Sequence, residues 1–280
     1  MYYILYNPLS NGGTCIEKVT ELESKFKNEN KDFKLRSLLD IDDLQNFINS
    51  LNNDDIIIIV GGDGTLYNFA NRIHGANIKN KTILFAKAGT GNDFFRDVKN
   101  EEVDGFVRID QYLLNPPTVE FFRNVNYFNN SCGMGVDGDI CNRVNISKKK
   151  SAIHYLLNCI KAVFNYKRYT LKAKIDGEEH TFEKTWFAVV MEGKYFGGGM
   201  KVAPNQDRKE ENLTLVVAHK ASILTLLFIL PRIYSGKHIK HKKYVKVFKC
   251  KEVELVASEP QFIEIDGDIV PNVEKIIVKK

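Results

Sequence analysis

The sequence predicts an α/β domain on an open parallel sheet, followed by an all-β-dominated domain, a sandwich. Two observations separate the halves. Over roughly the first 120 residues, apolar strand-like runs alternate with helical patterns, and Gly-rich loops follow several of the runs. Near Asn115-Pro116-Pro117 the texture changes, and strand-like runs then follow one another with turns between them. The domains are therefore set at 1–124 and 125–280.

Tyr2 to Tyr6 reads as a first strand. The turn-rich Asn7-Pro8-Leu9-Ser10-Asn11-Gly12-Gly13 leads into a helix from Thr14 to Phe26. Phe33 to Leu38 is a short strand, and Ile41 to Leu51 a helix behind Asp40. Ile56 to Val60 is an unbroken apolar, mostly β-branched run, which fits a strand buried on both faces. It breaks at Gly61-Gly62-Asp63-Gly64-Thr65, where three glycines allow a sharp turn and a close approach. Leu66, Phe69, Ala70 and Ile73 then fall at helical spacing. A strand, a Gly-rich turn and a helix point amides at an anion, so a phosphate-bearing ligand is expected. A turn used only for packing is the plainer alternative. A carboxylate beside a phosphate repels it unless a cation intervenes, so Asp63 points to Mg²⁺. Thr82 to Ala86 is a further strand, running into Ala88-Gly89-Thr90-Gly91-Asn92-Asp93. These Gly loops lie at the carboxyl ends of strands, where ligands bind in such sheets.

The second half carries strand-like runs at Val119 to Phe122, Asn126 to Asn130, Tyr169 to Ile175, Thr185 to Glu192 and Leu213 to His219. Val245 to Phe248, Glu252 to Val256, Phe262 to Ile265 and Lys275 to Val278 complete the set. Helices are expected at roughly Ser151 to Phe164 and at Ile223 to Tyr234. Gly133 to Gly138 matches GxGxxG, but the next acid after Asp139 is Asp176. No carboxylate lies about twenty residues on to hold a ribose, which rejects an NAD oxidoreductase. There is no Walker A and no GxSxG. Ile263 and Ile265 alternate with Glu264 in a strand ending at Asp266-Gly267-Asp268. A plain Asp-Gly hairpin turn and a general base with an orienting or metal-holding partner are both open there.

The five cysteines form no CxxC pair and read as reduced thiols of a cytosolic protein. Met1 is followed at once by a strand-like run rather than a signal peptide. The apolar run Leu226 to Leu230 is too short to span a bilayer. Charge is uneven: 14 Lys and Arg against 18 Asp and Glu over 1–124, then 26 against 17. Between Arg232 and Lys251 there are eight Lys or Arg and no acid. Nucleic acid, an anionic membrane and plain solvent are all open as neighbours of that stretch.

The motifs together resemble the diacylglycerol kinase catalytic family, which includes soluble bacterial lipid kinases and the sphingosine and ceramide kinases. Asn7-Pro8 with Asn11-Gly12-Gly13 resembles the family's opening loop, and Gly61 to Thr65 its GGDGT. Gly89 to Phe94 with Arg96 resembles GTGNDFAR, Asn130 to Asp137 the GxGxD segment, and Tyr195 to Pro204 the late Gly-rich turn. Asp266-Gly267-Asp268 stands where the family has DGE. GGDGT is shared with NAD kinases and, loosely, phosphofructokinases, so an NAD-kinase/phosphofructokinase-like first domain is implied.

The resemblance implies an ATP- and Mg²⁺-dependent lipid kinase, peripheral to the inner face of the membrane. Asn7, Asn11, Gly12, Ser37, Gly61, Gly62, Asp63, Gly64, Thr65, Leu66, Tyr67, Thr90 and Asn92 would hold ATP in an interdomain cleft. Asp268 would be the general base, with Asp266 and Asp63 supporting Mg²⁺. A second, structural Mg²⁺ is implied at Glu211 with the carbonyls of Arg208 and Leu213, although Glu211-Asn212 replaces the family's Asp-Gly. The acceptor would be a lipid at an anionic membrane surface, not nucleic acid, and a homodimer is left open. The lysines would meet the membrane, while most leucines of the Ile223 helix would enter the core. Asp268 is one methylene shorter than glutamate, a difference in reach of roughly 1.5 Å. Two other readings stand beside this one: a kinase for a soluble acceptor such as NAD, and a nucleotide-binding regulator without turnover.

Overall fold

The computed structural model describes residues 1–10, 15–89, 92–140 and 163–280. The chain divides into two compact units, Met1–Pro116 and Pro117–Lys280.

The first unit is an α/β layer structure. Its sheet has the order β2-β1-β3-β4-β5, formed by Phe33–Ser37, Tyr2–Tyr6, Ile56–Gly61, Thr82–Lys87 and Val107–Arg108. All pairs are parallel except the last, where the short β5 runs antiparallel to β4. The all-apolar run of β3 is explained by its two faces. Ile57 and Ile59 enter one core with Leu44, Ile48, Leu66 and Phe69. Ile58 and Val60 enter the other with Val19, Leu22 and Phe26 of α1, Cys15–Asn28. Each fully buried side chain of this size contributes about 1.5–3 kcal/mol.

Helix α2, Leu44–Ser50, begins later than expected. Asp43 rather than Asp40 is its cap, accepting from the Asn46 amide at 2.9 Å. Helix α3, Asp63–Arg72, begins earlier than expected, directly after Gly62. Its Arg72 ties back to the carbonyls of Leu38 and Ile41. Two short helices, α4 (Asp93–Asp97) and α5 (Asp110–Leu113), complete the described part of the unit.

The second unit is β-rich. Strand β6, Thr118–Phe121, pairs with β7, Asn124–Tyr127, and with the last strand, β14, Asp268–Lys279. These pairings move the boundary from residue 124 to the Pro116-Pro117 bond. Strand β8, Ser131–Gly135, was not expected as a strand; it pairs with β10, Glu178–Met191, and with β13, Glu252–Ile265. Its glycines reflect packing rather than nucleotide binding. A Cβ on Gly135, at φ +135°, would stand 2.5 Å from the Trp186 carbonyl oxygen.

The 14-residue strands β10 and β13 each serve two partners in turn. Their outer parts pair with β9, Tyr169–Ile175, and their inner parts with β8. Bulges mark the changeovers, between Thr185 and Phe187 in β10 and between Val256 and Gln261 in β13. A bulge bends a strand and strengthens its twist, which lets each long strand turn from β9 to β8 along one edge. Strand β11, Leu213–His219, and β12, Val245–Cys250, extend the sheet beyond β10. Helix α6, Ile223–Ile229, follows β11 and passes into a 3-10 turn over Leu230–Ile233, so the expected single helix is broken at Pro231. The expected helix from Ser151 lies almost wholly outside the described residues.

Candidate active site

The parallel order β1-β3-β4 brings three loops to one edge of the first sheet. They are cross-tied by side chains. Ser10 and Thr65 share a hydroxyl hydrogen bond of 2.6 Å, joining the first loop to the second. The Thr65 side chain fills the place of a Cβ at Gly61, which would lie 2.4 Å from its Oγ1. Ala88 N–H donates to the Gly61 carbonyl at 2.8 Å, joining the second loop to the third. Asp63 adds the strongest tie: its two oxygens accept from the Asp93 and Phe94 amides at 2.7 and 3.0 Å. No side chain caps α3 at Gly62, so the amides of Gly64 and Thr65 are placed for an anion.

This geometry revises the reason given for Asp63. Its charge beside a phosphate position is offset by the amides at the start of α4, without a cation.

The other expected nucleotide residues divide. Asn7 turns its Oδ1 onto the Leu9 amide at 3.0 Å, shaping the first loop. Ser37 caps the Leu38–Asp40 turn through the Leu39 amide at 3.1 Å. Asn92 is buried; its amide donates to Gly89, and its Oδ1 has no partner. The side chains of Leu66 and Tyr67 belong to the buried interior, and the Leu66 amide donates to the Gly62 carbonyl. Asn11, Gly12 and Thr90 lie outside the described residues. Lys87 lies with its ammonium 5.9 Å from the Phe95 ring centre.

In the second unit, Ile265 pairs with Asp268 across a two-residue loop. Asp266 and Gly267 have φ of 48° and 97°, as a type I′ hairpin requires. The turn is thus a plain hairpin in form, and its side chains give it another role. Asp266 turns inward and is partly buried. It accepts from the amides of Asn129, Asn130 and Ser131 at 2.5, 2.8 and 3.0 Å. Burial pushes its carboxyl up, while these amides and the Arg208 charge pull it back. A carboxylate held by three backbone amides serves as a buttress for the turn.

Asp268 opens β14 as an exposed residue and accepts no hydrogen bond among the described residues. Partial burial of its carboxyl raises its pKa above the usual aspartate value. A raised pKa makes the carboxylate a stronger proton acceptor once it is ionised.

Sequence reasoning missed Glu264, read as the outward residue between two isoleucines. Both faces of β13 are covered there, and Glu264 is buried. It accepts from the Gly267 amide at 2.5 Å and contacts Ser131 Oγ at 3.4 Å. Burial, and then the charges of Asp137 and Asp266, push its carboxyl well up. Only the close pairing of β13 with β8 on one side and β14 on the other reveals this, and no local pattern encodes it.

The loop at 206–213 does not fit the structural Mg²⁺. Glu211 pairs with Lys251 at 3.2 Å, and Glu210 with Lys249 at 2.6 Å. Gln206 donates to the Asn212 carbonyl at 2.7 Å and accepts from Thr214 and Lys249. Arg208 reaches the Asn129 carbonyl and the Asn130 side chain, the latter at 2.6 Å. Leu213 is fixed opposite Cys250 in the β11–β12 ladder. Among the described residues no group of three or more His, Cys, Asp or Glu could hold a metal.

Asp137 follows β8 with both carboxylate oxygens buried and without a well-formed hydrogen bond among the described residues. Burial raises its pKa from 3.8 to about 6, eased by the amides of Gly138 and Asp137 itself. The folded state therefore holds this proton more tightly than the unfolded chain. Stability is fully present below about pH 4 and falls as pH rises through about 6. Above that the penalty is on the order of 2–3 kcal/mol. Asp137→Asn is expected to flatten this part of the stability profile and raise the midpoint at pH 8 more than at pH 5. Urea unfolding at both pH values checks it; an unchanged slope refutes it.

Comparison with known proteins covers both units. Residues 1–115 match the diacylglycerol kinase catalytic domain, and residues 130–277 the YegS C-terminal NAD kinase beta sandwich-like domain. "Putative lipid kinase YtlR" of Bacillus subtilis is 27% identical over 232 residues, spanning 76% of this chain and 74% of that protein. A diacylglycerol kinase of Mycobacterium tuberculosis is 22% identical over 248 residues, spanning 84% and 78%. A solved structure titled as a putative diacylglycerol kinase from Bacillus anthracis shares the fold, with a TM-score of 0.66 at 21% identity, over 100% of this chain and 94% of that one. The chain belongs to the diacylglycerol kinase catalytic family, and its second half is the family's YegS-type, β-sandwich-like C-terminal domain.

Proposed function

We propose that this chain is an ATP- and Mg²⁺-dependent kinase acting on the hydroxyl of a lipid such as diacylglycerol at a membrane surface. The observation that carries the reading is the cross-tied rim of the first unit, Ser10 to Thr65 and Asp63 to Asp93 and Phe94. Three loops locked at the carboxyl ends of parallel strands suit a nucleotide triphosphate better than a packing turn does. The names of the relatives supply the lipid class.

Phosphoryl transfer asks for positioning and charge neutralisation more than for covalent help. The amides at the start of α3 hold phosphate oxygens. Asp63 would hold the Mg²⁺ that enters with the nucleotide, and that ion would offset further phosphate charge. Asp268 accepts the proton of the lipid hydroxyl, whose oxygen forms the new bond to the γ-phosphorus. The bond from that phosphorus to the β–γ bridging oxygen breaks, and ADP leaves. Asp266 and Glu264 hold the turn that presents Asp268.

Purified protein with Mg-ATP and a panel of lipids tests this: diacylglycerol, monoacylglycerol, a sphingoid base and phosphatidylglycerol in anionic vesicles. Label in at least one lipid is expected. ATP binding with no labelled lipid would favour the regulator, and phosphorylated NAD would favour the soluble-acceptor kinase.

A further inference from the structure

Helix α6 shows two different apolar faces. Leu226 and Ile229 are buried and, with Ile233 of the following turn, pack towards Phe187, Tyr244 and Val245. Leu224, Leu227 and Phe228 are exposed, Leu224 at 78% and Phe228 at 57%. Spacings of three and four residues put these three on one side of the helix, with Pro231 one turn further on. The expectation that most of these leucines enter the core is thus only half met. The same stretch holds the cations. Arg232 lies 3.7 Å from the centre of the Phe228 ring, and His241 packs edge-on to that ring at 6.0 Å. Lys237, Lys240, Lys242 and Lys243 are exposed and form no ion pair among the described residues. No acid occurs from Ala221 to Lys251.

We infer that this face is the membrane-docking surface, and that its occupant is an anionic bilayer. Leu224, Leu227 and Phe228 enter the interface, and Arg232 with the four lysines meets the anionic headgroups. An apolar helix face bordered by unpaired cations matches interfacial binding on both counts. A soluble polyanion uses the charge and leaves the leucines without purpose. A second copy of the chain would bring the same positive charge against itself. The inference rests on the lipid-acceptor reading for its purpose, but binding is measured without turnover, so the two fail separately.

The test is co-sedimentation with phosphatidylcholine vesicles, with or without about one-third phosphatidylglycerol. Wild type is expected to bind the anionic vesicles at least about tenfold more tightly, with affinity falling as salt rises. Leu224→Ser with Phe228→Ser, and separately Lys240→Gln with Lys242→Gln and Lys243→Gln, are each expected to weaken binding about tenfold or more. Both variants should melt as wild type does and phosphorylate a detergent-dispersed short-chain acceptor at the wild-type rate. Equal binding to both vesicle types overturns the inference. So does weakening by the lysine changes alone, which marks a polyanion site, or a wild-type dimer that the serine changes split. If the serine variant misfolds, Leu224→Gln alone replaces it, and full vesicle binding by that variant also overturns the inference.

Discussion

Asp268→Asn is expected to lower kcat for lipid phosphorylation by about 10²–10⁴-fold, the usual contribution of a positioned general base. ATP affinity and the unfolding midpoint should be unchanged. Asparagine keeps the shape of the side chain and cannot accept the hydroxyl proton. The site tolerates the change structurally, because Asp268 is exposed at the start of β14 and the hairpin is held by other residues. In wild type the raised pKa sets the pH profile: activity should fall as pH drops through that raised value and the carboxylate is protonated. Asp268→Glu adds roughly 1.5 Å of reach at an open position and should stay within about tenfold of wild type. Initial rates, ATP titration and thermal melts on the three proteins decide the matter. Wild-type turnover in Asp268→Asn would remove the residue from the chemistry.

The largest loss of stability is expected from Asp266→Ala. The change leaves the Asn129, Asn130 and Ser131 amides without their acceptor in a closed interior. It also strips the buried Arg208 of a nearby negative charge. Removing one member of such a buried network costs about 3–5 kcal/mol. Because the residue anchors the turn that carries Asp268, kcat should fall as well, whereas ATP affinity should hold. Urea unfolding measures the first effect, and a loss under about 1 kcal/mol would be that of a surface hairpin instead. Pairing the change with Arg208→Met should give a combined loss smaller than the two single losses added, because both act on the same Asn129–Ser131 segment.

What the sequence disclosed follows the reach of local patterns. The five-residue apolar run of β3 announced a strand covered on both sides, and the cores on its two faces bear this out. Tyr169–Ile175 and Leu213–His219 were legible residue for residue, since turn residues bound them. Strand β13 was read as two pieces, Glu252 to Val256 and Phe262 to Ile265. It is one strand, and Pro260 sits within its register shift, where a missing N–H is tolerated. The Asp63 ties were hidden because their partners lie thirty residues away, in the third loop. The inward turn of Asp266 was hidden for the same reason on a longer scale: its partners come from 135 residues or more upstream. Lys249 and Lys251 reach the 206–213 loop only because β12 lies beside β11.

The two long strands of the second unit carry a consequence for how it comes apart. Each pairs with both β8 and β9, so neither of these short strands can detach without breaking backbone pairings to the two long strands that also hold the other. Amide protons on β9 and on β8 should therefore exchange with solvent at similar rates under native conditions, released by one shared opening event. A protease will find no half-open form in which β9 is loose and β8 still paired.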